Sequence, residues 1–404
     1  MYFFMILSNS NIKIDFISKR HFGTGGTFMT RDILEQDNFK YKALYNWITE
    51  AITKGRFSYG EMLPSEKMLM NKFGVSRQTV RNSMSELSKN GYIERHKGKG
   101  TFVTYKNSLM RNKTIGVCLS FLDNYIFPNV LEGIERVLTQ EGYGIELGFG
   151  KNRVDNEAKF LQRMLDLNVS GLIIEGVKSA MPNPNDHYYR QFLSAGVPVI
   201  FVHNYYQNVE CPTVVMEDEK MTREITQMLI DAGHRRIAGL FKFDDKQGPF
   251  RYLGFIRALM ENDIEVMEKY ICWYGTYGST ALNKDSFENL ELFNKFADDI
   301  IGNCTAMVAY NDLVAGAVIT RLRSKGYKVP DDISVASYDD SDIMKTFGAS
   351  LTSVHHPKDK MGVKVAEVLL SYINNPQKNV AIRDFHIVPS TITVRDSIRV
   401  IQEA

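Results

Sequence analysis

The stretch MLPSEKMLMNKFGVSRQTVRNSMSELSKNGYIERHKGKGTFV, residues 62–103, carries its own punctuation. Ser65 is placed to cap a helix running to Lys72, and Gly74 ends that helix in the left-handed conformation that costs glycine little. Ser76 caps a second helix, closed by Gly91. Along it Val80, Met84 and Leu87 fall at i, i+4 and i+7 and make one apolar stripe. Arg77 and Arg81 share a different face, flanked by Gln78 and Thr79. Beyond Gly91, Tyr92–Arg95 and Thr101–Val103 are short strand patterns around His96–Gly100, a basic, glycine-rich loop unable to pack as core. Helix, turn, helix and basic wing is DNA-binding geometry, with one side buried and the other offered to a polyanion.

The side chains suit that polyanion by type. A guanidinium at Arg77 or Arg81 can pair with guanine O6 and N7 or clamp a phosphate, and the sequence leaves both open. Gln78 has the amide that reads adenine. Ser65, Ser76 and Thr79 suit phosphate donation or capping, and Glu66 suits a cytosine amine or a cap. Lys97, Gly98, Lys99, Gly100 and Thr101 make a wing tip whose bare backbone can approach the minor groove or phosphates. The motifs LPSE, FGVSRQTVRNSMSELSKNGYIER and GKGTFV resemble the winged helix-turn-helix of the GntR family of bacterial transcription regulators, over about residues 38–103. The resemblance implies a DNA contact at Lys67 too, where the family usually has arginine.

Outward from this stretch the chain changes character. Its 404 residues exceed one ordinary core, so two or three domains are expected. The net charge of +2 hides an asymmetry: residues 31–113 carry +8 and residues 114–404 carry −8, so only the former suits phosphate. Cys118, Cys211, Cys272 and Cys304 are scattered, which favours a reduced, cytoplasmic protein without a metal site. The apolar run Tyr2–Leu7 is too short to span a membrane, and no membrane partner is expected. Residues 1–37 read as an N-terminal extension, disordered or weakly packed, with Met29 an alternative start. Leu44, Trp47, Ile48 and Ile52 predict a helix over Lys40–Lys54, stopped by Gly55. Residues 104–112 read as a polar linker between a DNA-binding domain at 38–103 and a second domain at 113–404.

In that second domain short apolar runs alternate with helical patterns. The runs are Ile115–Ser120, Gly144–Gly148, Gly171–Ile174, Pro198–Val202, Ile237–Phe241, Tyr270–Trp273, Ala306–Tyr310 and Ile333–Tyr338. Helices fall between them, among them Val130–Gln140, Tyr252–Met260 and Leu313–Ser324. This predicts an α/β fold with parallel sheets covered on both faces. The length calls for two doubly wound lobes, with ligand in the cleft beyond the strand C-termini.

The runs VSGLIIEG, AGVPVIFV, DAGHRRIAGL, AMVAYNDLVAGAVITRLRSKGYKVPDDISVASYDDSD and TITVRDS resemble the two-lobed effector domain of LacI/GalR-type repressors, itself similar to periplasmic sugar-binding proteins. The resemblance implies that Arg251 grips effector oxygens and that Asn311 and Asp339 make polar contacts. It also places His203, Met216 and His356 where the family commonly has aspartate, an aromatic, and glutamine or another polar residue. Ser120, Tyr125 and Phe127 are candidates to line the other lobe. Other duties stay open: Asn311 suits a helix cap, Asp339-Asp340 a turn, and Arg251 a carboxylate bridge.

A GntR-type head on a LacI/GalR-type body resembles the arabinose-responsive repressors of Gram-positive bacteria. That implies a homodimer on double-stranded operator DNA, joined through the body. A sugar effector, L-arabinose by resemblance, would close the cleft and lower operator affinity. No cofactor is implied, and another sugar remains open as effector. The basic head and the lack of a secretion signal oppose a solute-binding protein for transport. The lack of G-x-S-x-G, P-loop, HExxH and Cys/His metal motifs opposes an enzyme acting in the cleft.

Overall fold

Serine caps and a left-handed glycine organise the head. Helix α1 spans Met29–Thr53, α2 Glu66–Phe73 and α3 Arg77–Lys89. Ser65 Oγ accepts from the Met68 N–H at 3.3 Å and Ser76 Oγ from the Thr79 N–H at 3.1 Å. Gly74 turns the chain between them at φ 61°. Strands β1 (Ile93–His96) and β2 (Gly100–Val103) pair antiparallel as the wing. Leu44, Ile48, Ile52, Leu69, Val80, Met84 and Leu87 close with Ile93 and Val103 into one core.

The computed structural model describes residues 29–53, 56–57, 60–105, 112–121, 125–276, 288–375, 378 and 380–401, with only the backbone for 29–39, 53, 288 and 289. Residues 29–37, expected to be loose, instead belong to α1: no glycine or proline stands between Met29 and Lys40 to interrupt the helix. The expected stop at Lys54-Gly55 lies outside the described residues. So do residues 1–28 of the expected extension and 106–111 of the expected linker.

The body opens with β3 (Thr114–Leu119), α4 (Phe127–Gln140), β4 (Gly144–Phe149), α5 (Val154–Leu167), β5 (Gly171–Ile174), α6 (Asp186–Ser194), β6 (Val199–Val202) and β7 (Thr213–Val215). A second series follows: α7 (Asp218–Asp231), β8 (Ile237–Lys242), α8 (Gln247–Glu261), β9 (Ile271–Tyr274), α9 (Glu288–Ile300), β10 (Ala306–Ala309), α10 (Asp312–Ser324), β11 (Ser334–Asp339) and β12 (Thr352–His355). The chain ends with α11 (Lys358–Ile373), β13 (Phe385–Ile387) and β14 (Thr391–Thr393). One sheet has the order β13-β7-β6-β5-β3-β4 and the other β14-β12-β11-β10-β8-β9. All neighbours are parallel except β14, which runs antiparallel to β12.

Strand order shows that the chain passes between the lobes three times. It leaves the first sheet after β7, returns after β12 through α11, and leaves again between β13 and β14. One apolar core runs through both lobes, from Ile115, Val117 and Ile134 to Ile237, Phe241 and Phe255. Helices α4 and α11 approach so closely that a Cβ on Gly362 would overlap the Val130 carbonyl. All eight predicted strands are present. The others, β7, β12, β13 and β14, have three or four residues with a Thr, Ser or His among them, so no continuous apolar run marks them.

Candidate functional site

A cavity of about 280 Å³ lies between the lobes, walled by polar groups from the C-terminal ends of the parallel strands. Ser120 follows β3, Glu175 follows β5 and His203 follows β6; Lys242 ends β8, Asn311 follows β10, Asp339 ends β11 and His356 follows β12. Tyr125 and Phe127 come from the entry to α4, and Arg251 from α8. Thus Ser120, Tyr125, Phe127, His203, Arg251, Asn311, Asp339 and His356 all line one cavity.

Met216 does not. It follows β7, is 5% exposed and packs in the core shared by the lobes. The two-residue period of an extended chain puts it on the same face as Val214, which is core. Glu175, Lys242, Asp245 and Tyr310 line the cavity without having been singled out from the sequence. Their signal was available, because each stands at or just beyond the C-terminal end of an apolar strand.

Arg251 is clamped. At 2% exposure, its Nε donates to Asp218 Oδ1 at 2.8 Å and its Nη1 to the Tyr310 carbonyl at 2.5 Å. Its guanidinium carbon lies 3.9 Å from the Tyr338 ring centre and 4.6 Å from that of Tyr310. The carboxylate bridge left open by the sequence therefore exists, with Asp218 at the first passage between lobes. Helix α8 begins close to β8 because Gly248 has no side chain, and a Cβ there would overlap the Lys242 carbonyl.

Polar contacts span the cleft. Tyr125 Oη donates to Asp339 Oδ2 at 2.5 Å, Asn152 Nδ2 to Asp244 Oδ2 at 3.1 Å, and the Lys246 N–H to Ser179 Oγ at 2.9 Å. Burial raises the Asp339 carboxyl above the usual range, partly offset by Arg251. Burial and the nearby Asp339 push the neighbouring Asp312 up to about 6, against hydrogen bonds from Ser341. Asn311 Oδ1 accepts from the Val314 N–H at 3.2 Å, so it caps α10 while lining the cavity. His203 (φ 60°) and Asp339 (φ 92°) hold left-handed backbone that disfavours side chains, a strain that concentrates at functional sites.

The two histidines meet across the cleft, their Nε2 atoms 3.1 Å apart. His203 Nδ1 stands 3.5 Å from Glu175 Oε1, and Glu175 Oε2 accepts from the Ser120 N–H at 2.7 Å. Burial, then the neighbouring His203, Lys358 and Arg251, hold His356 well below the usual imidazole range.

In the head the singled-out side chains stand mostly in solvent. Ser65, Lys67, Ser76, Arg77, Gln78, Arg81, Lys97, Gly98, Lys99 and Gly100 are exposed, and Glu66 and Thr101 are half-buried. Thr79 is the exception, 3% exposed with its hydroxyl 2.7 Å from that of Ser76. It adjoins the buried Val80 on α3, so it serves the cap rather than a phosphate. Glu66 gathers Arg77, Arg81 and Arg95 at 3.5, 3.4 and 3.6 Å. Arg95, on the strand entering the wing, joins this face without having been singled out. Such exposed pairs are weak, about 0–1 kcal/mol, and leave the arginines exchangeable to phosphate or base.

Among the described residues no helix is long and apolar enough to cross a membrane, and no group of three or more His, Cys, Asp or Glu is placed to hold a metal.

Comparisons with known proteins agree with this division. Residues 40–103 match the model of bacterial regulatory proteins of the gntR family, and residues 226–398 that of the periplasmic binding protein-like domain. The arabinose metabolism transcriptional repressor of Geobacillus stearothermophilus is 37% identical over 83% of this chain and 91% of its own length. That of Halalkalibacterium halodurans is 34% identical over 83% and 90%. The fold resembles the transcription regulator CcpA of Lactococcus lactis, with a TM-score of 0.61 and 23% identity over 72% of this chain and all of that one. It also resembles the transcriptional regulator CelR in complex with cellobiose, with a TM-score of 0.61 and 21% identity over 83% of this chain and all of that one.

Proposed function

The chain belongs to the family of arabinose metabolism transcriptional repressors, a GntR-type head on a LacI/GalR-type body, and from that premise we propose that L-arabinose occupies its cleft and releases it from operator DNA. The carrying observation is the cavity, where donors and acceptors from both lobes converge at strand ends around the clamped Arg251. A polyol needs fixed polar partners that water does not fill, and closure of two lobes supplies them. In this reading Ser120, Tyr125, Phe127, Arg251, Asn311, Asp339 and His356 line the effector site. Glu66, Lys67, Arg77, Gln78, Arg81 and the Lys97–Thr101 wing meet DNA, with Ser65 and Ser76 at the helix starts nearest the phosphates.

The protein acts as a regulator rather than an enzyme, in the cytoplasm, as a homodimer joined through residues 113–404. Two heads of residues 38–103, on linkers at 104–112, read two half-sites. Sugar favours one spacing of the lobes, and through it one spacing of the heads; operator affinity falls by the sugar's differential affinity for the two states. Another sugar in the same cleft is the second reading, favoured by His203 and His356 at positions where the family carries other side chains. Calorimetry of the full chain against a panel of pentoses and hexoses, followed by operator titration with and without the binding sugar, tests both. Binding of L-arabinose together with loss of operator affinity is expected. No heat with L-arabinose but heat with another sugar selects the second reading, and no response to any sugar overturns both.

A further inference from the structure

We propose that Glu175, His203 and His356 form a proton-ordered chain that presents His356 Nδ1 as a hydrogen-bond acceptor, so that the effector must place a hydroxyl donor against it. This rests on the reading of the cleft as the effector site and assigns the polarity of one contact within it.

The two Nε2 atoms, 3.1 Å apart, can bond only if one carries a proton and the other a lone pair. The far side of His203 decides which. Its Nδ1 faces Glu175 Oε1 at 3.5 Å, where a lone pair would be repelled and a proton attracted. With its proton on Nδ1, neutral His203 offers a lone pair at Nε2. His356 must then donate from Nε2, which leaves the lone pair on its own Nδ1. A doubly protonated His203 would reverse the sense. At 2% side-chain exposure that cation would need a charge-assisted hydrogen bond of about 2.7–2.9 Å, and the carboxylate stands farther away.

The surroundings keep His356 neutral. Burial comes first, and His203, Lys358 of α11, Arg251 of α8 and His355 of β12 then bear on His356; all disfavour a further proton there. Asp339, the acid of the second lobe's β11 that lines the same cavity, is engaged by Tyr125 Oη and, through its carbonyl, by Lys358 Nζ. The Phe127 ring packs edge-on against His203 at 5.9 Å and offers it no acceptor.

An orphan atom supplies the second observation. His356 lines the cavity, is 2% exposed, and its Nδ1 has no hydrogen-bond partner among the described residues. A buried acceptor without a partner calls for one from outside the chain. Both nitrogens of His203 face protein groups, so His203 and Glu175 are positioning residues and His356 makes the contact.

Long-range proton–nitrogen correlation spectra of the full chain, labelled at its eight histidines, read the tautomers directly. Resonances are assigned from His203→Asn and His356→Gln. His203 is expected as the Nδ1–H tautomer and His356 as the Nε2–H tautomer without sugar, and L-arabinose is expected to move the His356 Nδ1 resonance. In calorimetry His356→Gln, which keeps an acceptor, should bind within a few-fold of wild type. His356→Leu should lose roughly tenfold or more, and Glu175→Gln should mix the tautomers. An Nδ1–H or doubly protonated His356 overturns the proton order. An unmoved Nδ1 in a protein that binds the sugar, or wild-type affinity in His356→Leu, overturns the contact. A chain that binds no L-arabinose overturns the functional reading instead, and the sugar-free tautomers still judge the chain of protons.

Discussion

The head and the cleft both depend on arginine, and they use it in opposite ways. Side chains of Arg77 and Arg81 are 66% and 51% exposed, and they share one carboxylate, Glu66, at marginal distance. The Arg251 side chain is 2% exposed, bonded to Asp218 and held against two tyrosine rings. Water screens the first pair of charges and keeps them free to exchange partners, which a surface that must bind and release a polyanion requires. Exclusion of water makes the second charge costly to leave unpaired, so the protein supplies its partners before any ligand arrives. Placement thus teaches more than residue type: the same guanidinium is a detachable contact in one region and a fixed strut in the other.

The contrast can be broken most directly at the strut. Arg251→Ala leaves Asp218 buried without its partner and should destabilise the body by about 3–5 kcal/mol in urea unfolding, with sugar binding lost as well. Arg251→Met combined with Asp218→Leu should recover much of that stability. A single variant as stable as wild type would remove the distinction between strut and detachable contact.

A second test uses the buried carboxyl of Asp312. With its pKa raised from 3.8 to about 6, between those pH values the native state holds a proton that the unfolded chain has released. Its contribution is therefore present below pH 3.8 and is lost as pH rises toward 6. Asp312→Asn should stabilise the protein at pH 7 by up to about 3 kcal/mol and make little difference at pH 3.5. An unfolding midpoint lowered equally at both values would show that hydrogen bonding, not ionisation, governs the site.

The detachable side should respond in binding and not in folding. Arg81→Ala should weaken operator binding by about 1–3 kcal/mol while changing stability by less than about 0.5 kcal/mol. A thermal melt shifted as strongly as the binding isotherm would place Arg81 with the struts. Lys99→Ala should show the smallest effect, weakening all DNA alike and lowering the salt slope of binding by about one unit. Unchanged salt dependence would take the wing off the phosphates.

What the sequence determined by itself is local. Ser65, Gly74 and Ser76 act within four residues of their own position, and the apolar strands declare themselves in runs of four to six, so caps, turns, eight of the body's strands and the α/β class were legible. The resemblance to LacI/GalR-type effector domains, together with the rule that ligand sits beyond strand C-termini, also brought eight candidates to one cavity. What only the tertiary structure decided is partnership. Tyr125 meets Asp339 across 214 residues and His203 meets His356 across 153, and no local signal encodes such pairs. Register decided the rest: one step of the strand period sends Met216 into the core, and a position beside Val80 buries Thr79. Periodicity records which face a residue occupies relative to its neighbours. Only the packed chain shows what that face touches, because the contacts that give a buried charge its role come from elements far apart in sequence.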